Sequence, residues 1–161
     1  MAEPLESGGD DRLYLEDLHV GQRFTSGLSH DVDEAQIKAF ASQFDPQPFH
    51  LDNAAARGSF FEGLVASGWH TAAITMRLLV DGAAPIAGGV IGAGGEIQWP
   101  RPTRPGDTLR VESEVLEVKP SRSRTDRGIV TLRSETRNQE DQVVQVLTAK
   151  LVVPRRPAPG N

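Results

Sequence analysis

The chain contains no cysteine, which excludes a disulfide framework, a zinc knuckle and a thiol nucleophile at once. No run of about 18 apolar residues occurs, so nothing in it is expected to span a membrane. Basic residues are not in excess: 17 Lys and Arg stand against 22 Asp and Glu, for a formal net charge of −5. A nucleic-acid partner would need a basic face to meet its phosphates, so no nucleic acid is expected. The opening Met1-Ala2-Glu3-Pro4 has neither the basic region nor the apolar run of a secretory signal. A cytoplasmic location is therefore the expectation. The histidines, His19, His30, His50 and His70, show no His-x-x-x-His spacing, so no metal site is expected, and nothing asks for a cofactor.

What is present fits one domain. The 161 residues suffice for a real core, with an ordinary-to-low apolar content of 38%. Residues 1–12 and 154–161 are rich in Gly, Pro and charge and read as flexible tails around a single domain at 13–153. No internal repeat or linker interrupts that domain.

Two textures follow one another. Asp33 with Gln36 reads as a capping box, and Ile37, Phe40, Ala41 and Phe44 repeat at helical spacing behind it. A short helix is expected after Asp52. A third, over residues 67–80, is apolar almost all round, the pattern of a buried helix. After residue 86 the texture turns to strands, expected at 86–99, 108–118, 128–137 and 143–153, with an earlier one at 23–32. The sum is an α+β domain, a curved antiparallel sheet wrapped around a long buried helix. The glycines at 88, 89, 92, 94 and 95 point to a bend or a close backbone approach.

The segment Phe44-Asp45-Pro46-Gln47-Pro48-Phe49-His50 places a carboxylate and an imidazole in a proline-stiffened loop between helices. Each proline biases the residue before it away from helix, which pre-shapes the loop. Fully extended, five residues span roughly 17 Å, so the pair meets only if the loop turns back. Histidine titrates near neutral pH, and a carboxylate beside it can fix its tautomer, so the two could hold and deprotonate a water. The plain structural alternative is that Asp45 caps a turn and His50 is a satisfied, half-buried side chain. Further on, Gly68 opens the buried helix. There unpaired N–H groups carry partial positive charge, and no side chain shields the backbone from an approaching carbonyl oxygen. The alternative there is tight packing alone. Ser67 does not sit in a Gly-x-Ser-x-Gly elbow and reads as the helix N-cap.

Taken together, Asp45, Pro48, His50 and Ala56, the preceding Phe40 and Phe44, and the Gly68 helix start resemble the MaoC-like dehydratases, hot-dog-fold proteins that include the (R)-specific enoyl-CoA hydratases. The segments Ile97-Gln98-Trp99-Pro100-Arg101-Pro102 and Pro105-Gly106-Asp107-Thr108-Leu109 share the likeness, which covers residues 15–153. Two positions depart: Gln47 stands where the family has Asn, and Ser67 where many of its hydratases carry a His just before the helix-start Gly. The resemblance implies a lyase of fatty-acid metabolism that adds water to, or removes it from, a 2-enoyl thioester of CoA or acyl-carrier protein. It further implies Asp45 and His50 as the catalytic dyad, Gly68 at the oxyanion hole, and a homodimer or higher homo-oligomer. The same fold hosts acyl-CoA thioesterases and non-catalytic acyl-binding subunits, which remain the alternatives. Arg101, Arg104, Arg122 and Arg124 read as solvated loop charges, with contact to a CoA phosphate as the alternative.

Overall fold

Two short strands, β1 (Arg23–Thr25) and β2 (His30–Asp31), both pair with one much longer strand later in the chain. This is seen in a computed structural model that describes residues 11–159; residues 1–10 and 160–161 of the two expected tails lie outside the described residues. The single strand expected at 23–32 is broken because Ser26 leaves the ladder: its N–H donates to Val111 O and its hydroxyl accepts from Val111 N–H.

Helix α1 (Glu34–Phe44) starts where Asp33 accepts a hydrogen bond from the Gln36 N–H at 2.8 Å. The box is not closed in the reciprocal way: the Gln36 amide donates to Asp31 O and to the Asp33 carboxylate instead. Ile37 and Ala41 of α1 are buried. Then come α2 (Pro48–Leu51), with Pro48 in its first turn where a missing N–H costs nothing, and α3 (Asn53–Arg57), capped by Asp52. Helix α4 (Gly68–Leu78) is capped by the Ser67 hydroxyl and runs on into a wider π-type turn, Leu79–Ala83.

The remaining strands are β3 (Gly92–Gln98), β4 (Thr108–Pro120), β5 (Arg127–Arg137) and β6 (Val143–Pro154). All pair antiparallel in the order β1-β4-β5-β6-β3, with β2 beside β4, giving an open six-stranded sheet. Period-2 alternation turns Leu109, Val111 and Val115 of β4, Val130 and Leu132 of β5, and Leu151 and Val153 of β6 into the core. There they meet Ile74, Leu78 and Leu79, so the inward side of α4 is the centre of the fold. Burying an Ile or Leu of this kind is worth roughly 1.5–3 kcal/mol each. The outward side carries Trp69, Met76 and Val80, all exposed in this single chain.

Strand β3 is shorter than the 86–99 expected, because Gly88 and Gly89 take positive φ and form a turn first. The glycine cluster has the predicted bend, a register shift between Gly92 and Gly94. The close backbone at Gly95 belongs to β6 rather than to the helix: a Cβ there would lie 2.4 Å from Thr148 O. Past β6, Arg156 reaches back to the first turn, donating to Asp17 at 2.6 Å and lying over the Tyr14 ring. Among the described residues no helix is long and apolar enough to cross a membrane.

Candidate active site

The prolines do shape the loop. Gln47, before Pro48, is extended, and the Gln47 N–H donates to Asp45 O at 2.8 Å, which folds the chain back. Pro48 then starts α2, so His50 sits on a one-turn helix rather than in open loop. The return brings His50 Nε2 within 3.2 Å of Asp45 Oδ2. His50 is buried, with only 5% exposed. Its Nδ1 lies 2.7 Å from Val65 O. A carbonyl can only accept, so Nδ1 carries the hydrogen, and Nε2 is the nitrogen turned to the carboxylate.

Two further contacts orient Asp45. The Ser67 hydroxyl donates to Oδ2 at 2.7 Å, and the Gln47 amide donates to Oδ1 at 2.5 Å. Ser67, itself fully buried, also accepts from the Trp69 N–H at 3.2 Å, so one side chain caps α4 and grips the carboxylate. Partial burial pushes the Asp45 carboxyl up. The hydrogen bonds from Ser67 and Gln47, with the nearby imidazole, outweigh that and hold it below the usual carboxylate range. Gln47 thus does reach the site from the position where the family has Asn.

Asp45, His50 and Gly68 line one cleft of about 710 Å³. Its walls carry Phe49, Phe60, Phe61, Trp69 and Trp99, so the polar pair stands in largely aromatic surroundings. Among the described residues the Gly68 N–H has no protein acceptor, and it opens an eleven-residue helix. Arg101 and Arg104 also line the cleft, and Arg104 donates to Phe61 O at 2.8 Å. Arg122 and Arg124 lie apart, in the connection between β4 and β5. Among the described residues no group of three or more His, Asp or Glu stands close enough to hold a metal ion. The sequence pointed to Asp45, His50 and Gly68. It did not point to Ser67 as a partner of Asp45, to Val65 O as the partner of His50, or to the aromatic walls.

An open antiparallel sheet over a central helix, with an Asp–His pair beside that helix's start, is a hot-dog architecture. The MaoC like domain model matches residues 17–138, and the chain belongs to that family. Among solved structures, the MaoC-like dehydratase from Rhodospirillum rubrum is 64% identical, with a TM-score of 0.89 over 91% of this chain and 99% of that one. The (R)-hydratase from A. caviae involved in PHA biosynthesis is 30% identical, with a TM-score of 0.67 over 88% of this chain and 99% of that one. The 3-hydroxybutyryl-CoA dehydratase of Methylorubrum extorquens is 31% identical over 113 residues, 70% of this chain and 69% of that protein.

Proposed function

We propose that this protein hydrates 2-enoyl thioesters, or dehydrates their 3-hydroxy counterparts, with Asp45 and His50 as one acid–base pair. The observation that carries the reading is the 3.2 Å approach of Asp45 Oδ2 to His50 Nε2 inside an aromatic cleft, beside the unpartnered Gly68 N–H. The β-carbon of a conjugated thioester is electrophilic, but neutral water attacks it poorly. A water between the carboxylate and Nε2 loses a proton as it adds to C3, and the same pair returns a proton to C2. Because both protons move on one face, the addition is syn. The Gly68 N–H, with the partial positive charge of the helix start, takes the charge that develops on the thioester oxygen. Losing a donor of that kind typically costs about 3–4 kcal/mol of transition-state stabilisation.

Acyl-CoA is the substrate form we favour, since the similar M. extorquens protein is named for a CoA thioester. That chemistry suits a cytoplasmic place in fatty-acid metabolism. A homodimer completes the picture. Strand β3 ends the sheet with its pairing edge free and six of its seven residues exposed. An unpaired edge of that kind invites a second strand.

The test is the loss of enoyl absorbance on adding the protein to crotonyl-CoA, read alongside thiol release. Loss of absorbance without free CoA, reduced at least about a hundredfold in folded Asp45→Asn, is the expected result. Release of CoA from butyryl-CoA would replace the reading with a thioesterase. No reaction with any enoyl thioester would leave an acyl-binding subunit.

A further inference from the structure

Trp99 takes no part in the proton transfers, yet it is fixed from three sides. Its indole lies flush on Gly68, where a Cβ would stand 2.7 Å from Cε2 and 2.8 Å from Cζ2. Trp69 meets it edge-on at 5.5 Å between ring centroids. Its Nε1 donates to Gln145 Oε1 at 3.0 Å. Gln145 is 0% exposed and passes the chain inward, its amide donating to the Thr75 hydroxyl at 3.0 Å. Thr75 in turn donates to Thr71 O at 2.9 Å and contacts the Thr136 hydroxyl at 2.6 Å.

A buried amide destabilises a core unless every polar atom is met, and an apolar side chain of the same size would fill the space more simply. This polar chain ends on one part-exposed group, the Trp99 indole, which is 41% exposed and lines the cleft. The segment that follows Trp99 is fastened to the approach to α4. The Ala66 N–H donates to Thr103 O at 2.9 Å, and the Thr71 and Thr103 hydroxyls meet at 3.0 Å. The indole on Gly68 and these bonds together tie the segment that leaves β3 to the helix start, on one side of the cleft.

We propose that Trp99, positioned by Gln145, is the specificity-determining wall of the cleft and restricts it to short acyl thioesters. This rests on the hydratase reading of the same site. A longer acyl chain meets the indole and enters only by pushing it off Gln145, which loses a hydrogen bond and costs about tenfold in binding.

The experiment compares kcat/KM for crotonyl-CoA and 2-decenoyl-CoA in wild type, Trp99→Ala, Trp99→Phe and Gln145→Met. Wild type is expected to favour crotonyl-CoA by at least about tenfold, and Trp99→Ala to bring the two within about threefold, mainly through the KM of the longer substrate. Gln145→Met keeps the side-chain volume and should move the ratio the same way. It should also shift the indole emission in a Trp69→Phe background, where Trp99 is the sole tryptophan. Trp99→Phe, which keeps a ring but loses the bond to Gln145, should fall between and serves if the alanine variant does not fold. An unchanged ratio in the Trp99 variants, or a wild type that prefers 2-decenoyl-CoA, overturns the wall while leaving the hydratase reading intact. An unchanged ratio in Gln145→Met alone removes Gln145 from it. If wild type turns over neither substrate, the hydratase reading fails and the wall is judged by calorimetry with butyryl-CoA and decanoyl-CoA. A preference for butyryl-CoA that disappears in Trp99→Ala supports it, and identical preferences overturn it.

Discussion

Charged side chains gather in two very different places. On the sheet, Arg23, Glu112, Glu114, Arg133, Glu135 and Arg137 line a shallow hollow of about 230 Å³. Arg137 alone reaches Glu112 at 3.5 Å, Asp141 at 3.3 Å and Glu135. In the cleft, where Arg101 and Arg104 stand on the walls, the one ion pair among the described residues is Asp45 with His50, and its other partners are neutral: Ser67, Gln47 and Val65 O. On the proposed reading, the richer cluster is the less reactive one. A guanidinium does not give up its proton, so the sheet carboxylates have nothing to exchange. An imidazole can both give and take a proton, and the hydrogen bond of His50 Nδ1 to Val65 O turns Nε2 to the carboxylate. What separates a site from a patch here is which partner the carboxylate has, and how dry the pair is.

The contrast is broken most severely if the sheet cluster proves to matter for turnover. His50→Ala should lose at least about a hundredfold in crotonyl-CoA hydration, whereas Arg133→Ala should stay within about twofold of wild type. A comparable loss in Arg133→Ala would erase the distinction. Ser67→Ala sharpens it at a smaller scale. Removing one hydrogen bond from Asp45 should slow turnover by about tenfold, the worth of a bond to a charged group. It should also move the acid limb of the pH–rate profile upward, because that bond helps to hold the carboxyl down. An acid limb that stays put would mean that Ser67 serves only as a helix cap.

A third expectation concerns stability beside the cleft. His70 is buried, stacked on Phe40 at 4.7 Å, and its Nδ1 has no partner among the described residues. Burial, reinforced by the charge of His30, holds its imidazole below the ordinary value. The unfolded chain therefore takes up a proton more readily than the native one. The stability His70 contributes is complete above its unfolded value, about 6.5, and is lost as pH falls toward the depressed native value. The melting temperature should fall between about pH 7 and about pH 5, and less steeply in His70→Gln. Parallel slopes would remove His70 from the account. The smallest effect belongs to the sheet: Glu135→Gln should change stability by no more than about 1 kcal/mol, since part-exposed ion pairs contribute little.

Much of this was legible in the sequence, unevenly. Strands β4 to β6 announced themselves because one face packs on the core, and alternation records that directly. The limits of β3 did not, since Gly88 and Gly89 could sit in a strand or a turn and only their φ values choose. Asp45 and His50 were visible as a proline-framed pair, but their meeting depends on the single turn of α2, too short to leave a periodic signature. Ser67 was legible as a cap and illegible as a partner of Asp45, because its hydroxyl makes both bonds while the sequence separates the two residues by 22 positions. Trp69 and Trp99 carried no mark of the cleft, for aromatic side chains read alike in a core, at an interface and along a binding site.

The central claim is that Asp45 and His50 act as a single unit on one water. A double-mutant cycle on crotonyl-CoA hydration, with Asp45→Asn, His50→Ala and both together, tests it most directly. The expected result is a double variant about as slow as the slower single, as found when groups serve one step jointly. Losses that multiply would show two independent contributions and contradict the shared-water mechanism.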